Sequence, residues 1–373
     1  MSAQITQTAA EHATTNDDLH FGWFIPTMGD TSAFGDPSAR IEPSMDMFVR
    51  IAQAAERAGM EYALVPVMTE CYEAWITCAM IAARTQSLTL LVAARPGLIA
   101  PTVTAKMINT FDQLSGGRIA INLIAGGSPA EAAADGVFHE HDERYEIIDE
   151  TVSLMKRVWT EDEPVDHKGK FFTVEGAVVK PKPYQKPFPQ FFLGGLSDSA
   201  MDVCAKHADV YLFWGDTPEN VAANIVKAKE RAAHYGREEQ LGFGMRLQTI
   251  VRDTEDEAWA AAEALIAGSV EGQKWTVAGA VDSRAQERML ELVQAENYRI
   301  APHLWSGISS VRPGAGVAVV GNPEQVADTL LEFVEAGCTH FCLSGYPHDD
   351  AAERFGRDVM PIIRRKRAAL EES

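Results

Sequence analysis

The sequence predicts an α/β protein, a (β/α)8 barrel with insertions, on three observations. Eight short apolar runs alternate with stretches whose apolar residues recur at helical spacing, the pattern of parallel strands covered by helices. No GxGxxG follows the first apolar run and no GxxxxGK[ST] occurs, so the fingerprints of the common nucleotide-binding open sheets are missing. A chain of 373 residues accommodates one such barrel without a second domain. A doubly wound open sheet remains the alternative.

LHFGWFIP (19–26) reads as the first strand, closed by proline. A Gly- and Pro-rich loop follows, and MDMFVRIAQAAERAGM (45–60) then predicts a helix that stops at Gly59. EYALVPV, LTLLVAARPG and RIAINLIAGG are the next strands, with helices from Ala74 to Ala83 and in TVTAKMINTFDQLSGG between them. YEIIDETVSLMKRVWTED is helical. Residues 163–190 interrupt the rhythm with strand-like fragments and clustered prolines, which predicts a surface insertion. The alternation resumes with FFLGG, helix 198–207, VYLFWG, helix 218–234, FGMRLQTIVRD and the helix in DEAWAAAEALIAG. Residues 268–315 are polar and mixed in period, expected as helices joined by a mobile loop. VAVVGNPEQVADTLLEFVEAG (317–337) carries a late helix and THFCLSGYPH (339–348) the final strand.

Residues 1–18 are polar and acidic and are expected as a flexible arm before one domain over 19–373. They lack the charged and apolar regions of a secretory signal, and no stretch is long enough to span a membrane. Apolar residues at 46% and charged residues at 23% describe a packed globule. A net charge of −20 argues against non-specific nucleic-acid or anionic-membrane binding, while leaving room for a local basic pocket. Five cysteines, odd in number and without CxxC, fit a reducing, cytoplasmic setting.

In a barrel, the loops after the strands gather at one face, where active sites form. Those loops hold Thr27–Asp30, Met68–Tyr72, Arg95, Gly126–Ser128, Gly194–Ser197, Trp214–Asp216 and Ser344–His348, with Gln248 nearby. GGLSDSA lies between a strand and a helix, so it is either a plain capped turn or a phosphate cradle of backbone N–H groups with the Ser197 hydroxyl. Arg246 stands in an apolar strand, where a buried guanidinium needs a carboxylate or an anionic ligand. Arg312 lies in the Gly-flanked loop SSVRPGAG, while Arg118 is expected to be structural. His139 and His141 in HEHDERY make only a weak metal pattern, and no metal is expected. Cys71 follows a strand without an adjacent histidine to activate it. Trp23, Phe24, Trp75, Trp214 and Trp305 are either core or the lining of a pocket for a planar ring.

In succession, FIPTMGD, IAQAAERAG, CYEAW, AARPGLIAPTVTAK, FDQLSGGR, DGVFHEHDERYE, FLGGLSDSA, DVYLFWGDTPE, MRLQTIVRDT, LWSGISSVRPGAG and LSGYPH resemble the bacterial luciferase-like flavin monooxygenases. The resemblance is closest to the alkanesulfonate monooxygenases and runs from about Phe21 to about Ile363. It implies a TIM barrel that takes reduced FMN from a separate NAD(P)H-dependent reductase and uses O2 to cleave the carbon–sulfur bond of an organosulfonate. The products would be sulfite and an aldehyde, and the assembly a homodimer or homotetramer. It also implies that Asn122, Gly126, Tyr145, Gly194, Gly195 and Ser197 bind the cofactor. Cys71, Arg246, Gln248, Arg312 and Tyr346 take catalytic positions, and Trp23, Met28, Trp214, Arg246, Gln248, Trp305, Arg312 and His348 are expected around the substrate.

The chain departs from that pattern at two titratable positions. Gln248 stands where the family has a histidine two residues after the strand arginine, and Met28 replaces the histidine of FxPTHGD. Leu196 also stands where a serine is common, which leaves Ser197 as the hydroxyl donor of the turn. Gln248 could hydrogen-bond a sugar hydroxyl but is no base near neutrality. The rebuilt pocket favours a bulky sulfonate such as sulfoquinovose slightly over a simple alkanesulfonate. Oxygenases of sulfones, amines or aldehydes, a deazaflavin F420 hydride-transfer enzyme and a non-catalytic flavin-binding barrel are the other readings.

Overall fold

The computed structural model describes residues 19–269 and 283–371. The expected arm over 1–18 and part of the expected mobile loop lie outside them. Eight parallel strands close on themselves: β1 His20–Phe24, β2 Tyr62–Val65, β3 Thr89–Ala94, β4 Ile119–Leu123, β5 Phe191–Leu193, β6 Val210–Trp214, β7 Gly242–Val251 and β8 His340–Ser344. β7 pairs with β6 and β8, and β8 pairs with β1, so the barrel has no open edge.

The period-2 alternation of each strand divides its side chains between two layers. Phe24, Tyr62, Leu64, Leu91, Ala120, Phe192, Val210, Leu212 and Cys342 fill the barrel interior. Trp23, Val65, Val92, Ile121, Phe191, Tyr211, Leu247 and Leu343 belong to the larger cluster packed under the helices. Helix Met45–Arg57 shows how the outer ring is built. Ser44 caps it by accepting from Met47 N–H, and Phe48, Ile51 and Ala55 put an apolar stripe against the strands.

The insertion contains an antiparallel hairpin, Val165–Lys168 with Thr173–Ala177. It is tied to helix His141–Thr160 by Glu150, which pairs with His167 and accepts from the N–H groups of Phe171 and Phe172.

Three strands in the late part of the chain differ from expectation, two of them, Arg299–Ala301 and Leu304–Trp305, within 268–315 where helices were expected. The apolar start of the late helical run is a strand, Ala318–Gly321, and the helix begins only at Pro323. The cause is the length of β7, which at ten residues outruns its neighbours. On one side β7 pairs with β6 only as far as Arg246, and from Gln248 to Val251 that side is taken by Ala318–Gly321. Leu304–Trp305 and Arg299–Ala301 extend this accessory sheet antiparallel. The strand edge that projects beyond the barrel is thereby covered.

Candidate functional site

A cavity of about 460 Å³ opens at the C-terminal ends of the strands, between the turn after β5 and the Arg312 loop. Its walls include Asn122, Gly126, Tyr145, Gly194 and Gly195 at one end, and Met28, Trp214, Arg246 and Arg312 among the remainder. A second cavity of about 420 Å³ adjoins it, sharing Arg95, Gly126, Ser128 and Glu131.

The turn after β5 is built for close approach. Gly194 passes the Leu212 carbonyl so tightly that a Cβ would stand 2.4 Å from that oxygen. Gly195 has φ +139°, and a Cβ there would lie 2.9 Å from Tyr145 Oη. Tyr211 fixes the turn by donating to the Gly195 carbonyl. Ser197 is the N-cap of helix Asp198–His207: its Oγ accepts from Ala200 N–H at 3.2 Å and donates to Ser199 Oγ, whose own proton goes to Asp142. Bare backbone at a helix N-terminus, with Tyr145 Oη beside it in the cavity wall, is suited to a phosphate monoester.

Two guanidinium groups mark another part of the cavity. Arg246 is 3% exposed, with Cζ 4.4 Å from the centroid of the Phe24 ring. Its Nη1 donates to the carbonyls of Leu247 (2.8 Å) and Cys342 (3.4 Å), while buried Nη2 has no partner. Burial pulls its pKa below the ordinary arginine value, and the Arg312 charge adds to this. Arg312 Nη1 donates to Tyr346 Oη at 2.7 Å, and its Nε donates to the Pro313 carbonyl. Among the described residues neither guanidinium meets a carboxylate. Burial raises the Tyr346 phenol despite the neighbouring arginines, and it raises the Cys71 thiol too. Cys71 is only partly buried and stands outside the cavity wall as a thiol rather than a ready thiolate.

Four expected substrate contacts lie elsewhere. Trp23 points outward from β1, fully buried in the layer beneath the helices. Trp305 packs with Ile250 and Trp259 in the accessory sheet and donates from Nε1 to the Asn297 carbonyl. Gln248 is fully buried and stands outside the cavity wall: its amide donates to the Ala315 carbonyl at 3.0 Å and accepts from Ser344 Oγ. Its work is to fasten the Arg312 loop and β8 to β7. His348 is also fully buried and is held by Asp30.

Asp30 is the residue that sequence reasoning passed over. Its carboxylate accepts from the His348 backbone N–H at 2.8 Å and contacts His348 Nδ1 at 2.7 Å. Burial pushes the Asp30 carboxyl up, but His348 and the hydrogen bonds outweigh it and leave it below its usual value. Gln286 and Arg288 were also missed. Gln286 Oε1 accepts from Gly314 N–H, and Arg288 grips Asp216 through Nε (2.7 Å) and Nη2 (2.9 Å), docking helix Arg284–Leu292 on the loop after β6. The Gly-rich loop around Arg312 was the only nearby signal. Arg95 is engaged by Glu131 and Asp135, and Arg118 by backbone carbonyls, as structural arginines are. His139 and His141 pair with Glu143 and Asp142, and no metal-binding group of three His, Cys, Asp or Glu occurs among the described residues. None of their helices is long and apolar enough to cross a membrane.

Solved structures share this architecture at low identity. A riboflavin lyase crystallised with modified FMN and riboflavin is 20% identical with a TM-score of 0.78, covering 94% of this chain and 92% of its own. The EDTA monooxygenase of Chelativorans sp. BNC1 is 20% identical with a TM-score of 0.75, at 94% coverage of both chains. An F420-dependent secondary alcohol dehydrogenase is 17% identical with a TM-score of 0.66, covering 93% of this chain and 99% of its own. These likenesses show the fold. The sequence of residues 19–340 itself matches the luciferase-like monooxygenase family, and with its closed barrel and the cavity at the strand ends, the chain belongs to that family.

Proposed function

We propose that the chain is the oxygenase of a two-component system that takes reduced FMN from a separate NAD(P)H-dependent reductase and cleaves an organosulfonate with O2. The balanced reaction is R–CH2–SO3⁻ + O2 + FMNH2 → R–CHO + SO3²⁻ + FMN + H2O + H⁺. The observation that carries this reading is the pair Arg246 and Arg312, two guanidiniums that meet no carboxylate among the described residues, at a cavity of a protein of net charge −20. A buried cation without a counter-charge costs several kcal/mol, a cost that an anionic ligand offsets.

Bound flavin supplies the two electrons and the activation of oxygen. Gly194, Gly195, Ser197 and Tyr145 would hold its phosphate, with Asn122 and Gly126 along its length. Arg246 and Arg312 orient the sulfonate by charge-assisted hydrogen bonds, and Tyr346 holds Arg312 until the sulfonate takes its place. The Arg312 loop, fastened by Gln248 and Gln286, excludes water from the reacting carbon.

A bulky sulfonate, sulfoquinovose among them, stands ahead of short alkanesulfonates because the adjoining cavity of about 420 Å³ gives room beyond the flavin. The test measures sulfite released from a sulfonate panel, sulfosugar included, with reduced FMN and O2. Sulfite from a sulfonate supports the reading. Flavin binding without sulfite, or oxidation of a sulfone, amine or aldehyde instead, overturns it.

A further inference from the structure

The Asp30–His348 pair has a geometry that packing alone does not require. Both side chains are fully buried, and both carboxylate oxygens of Asp30 face His348, one on its backbone N–H and one on Nδ1. An Nδ1–H held by a carboxylate leaves Nε2 as the basic nitrogen. That Nε2 is buried and has no partner. The imidazole packs edge-on to Tyr346 at 4.8 Å and lies 6.1 Å from Phe24, the ring that carries the Arg246 guanidinium. Tyr346 is in turn the hydroxyl bound by Arg312.

The other candidates for moving a proton here are disqualified by their chemistry. Gln248 and Met28 do not titrate, and burial raises both the Cys71 thiol and the Tyr346 phenol. Imidazole is the side chain whose ordinary range spans neutrality. The charged groups around it are Asp30 in contact, Arg246 and Arg312 across Phe24 and Tyr346, and Asp349 and Asp350 on its own helix, Asp349 being paired with Arg50.

We propose that His348 Nε2 takes the proton released when the oxygenated substrate loses sulfite, and that Asp30 is the positioning residue that sets its tautomer and basicity. This rests on the sulfonate reading above. In an α-hydroxysulfonate the O–H bond breaks and its electron pair forms C=O. The C–S bond breaks with its pair leaving on sulfur, so the products are aldehyde, sulfite and an imidazolium. Reaching Nε2 requires Tyr346 and Arg312 to part, which a sulfonate bound to Arg312 would promote.

The test has a flavin-free arm and a turnover arm. With 15N-histidine labelling, the His348 resonance is assigned by its loss in His348→Gln and titrated in wild type and Asp30→Asn. Removing the carboxylate charge should lower its midpoint. In sulfite release, the acidic limb of kcat should move down equally in Asp30→Asn, with KM changed less than about threefold. It should vanish in His348→Gln, where kcat falls on the order of 100-fold. Asp30→Asn is the milder change and stands in if His348→Gln fails to fold. An unmoved acidic limb, or a His348 resonance whose midpoint Asp30→Asn leaves unmoved, overturns the pair. Absence of sulfite from every sulfonate overturns the parent reading instead, and the titration then judges the pair alone.

Discussion

Arg246 occupies a position where stability alone would favour methionine. Among the described residues its buried Nη2 has no partner and no carboxylate neutralises the charge. Replacing such a cation by an apolar side chain of similar length is often stabilising by about 1–3 kcal/mol. Arg246→Met is therefore expected to raise the urea midpoint while cutting sulfonate turnover roughly 30- to 160-fold, the worth of about 2–3 kcal/mol of charge-assisted hydrogen bonding. Its flavin affinity should stay near that of the parent, because the phosphate turn lies on other strands. Equal losses of turnover and flavin binding would refute the assignment. Arg246 was legible because an arginine within GMRLQTI is anomalous on its face. The engagement of Gln248 was not, since its partners lie 67 and 96 residues away, and Asp30 meets His348 across 318 residues. Local pattern marks what is unusual in a residue, but only the closed barrel decides which partner satisfies it.

The eight strands were readable from alternation and length, whereas Ala318–Gly321 was hidden inside a run that continues into a helix. Short apolar runs are ambiguous between strand and buried helix, and here the exposed edge of an overlong neighbour decided the matter. β8 supplies a pH prediction. His340, its first residue, stacks on His20 at 4.4 Å, and burial with the His20 charge pushes its pKa down to about 3. The unfolded chain takes up that proton near pH ~6.5, so stability is full above this value and declines as pH falls towards the folded pKa, by about 1.4 kcal/mol per pH unit. His340→Gln should flatten this acid slope in chemical denaturation, and an unchanged slope would refute it. Helix Arg284–Leu292 supplies another prediction. Arg288→Ala removes the bidentate grip on Asp216, so limited proteolysis within 283–315 should accelerate on the order of tenfold while the barrel melts unchanged. Protection equal to the parent would mean that the ion pair latches nothing.

At the scale of the molecule, the proposed sulfonate would approach a chain of net charge −20 before it meets two guanidiniums. Long-range repulsion is screened within about 10 Å at 0.1 M salt, so kcat/KM for a sulfonate should rise with added salt in the dilute range. A flat or falling salt profile would show that the arginines dominate the field out to the cavity mouth. The molecule also separates its tasks along the chain. The turn proposed to hold the flavin phosphate belongs to the β4–β5 half, whereas Arg246, Arg312 and His348 arise from β7 onward. β7 serves two sheets, closing the barrel with one stretch and carrying Ala318–Gly321 on the other. Among the described residues, Arg299–Ala301, Leu304–Trp305 and Ala318–Gly321, with the Arg312 loop between them, thus hang as a cassette on the projecting end of β7. A lineage can rewrite that cassette, and with it the choice of substrate, without renegotiating the grip on the cofactor. One barrel could in this way be inherited by enzymes that share an oxidant and little else.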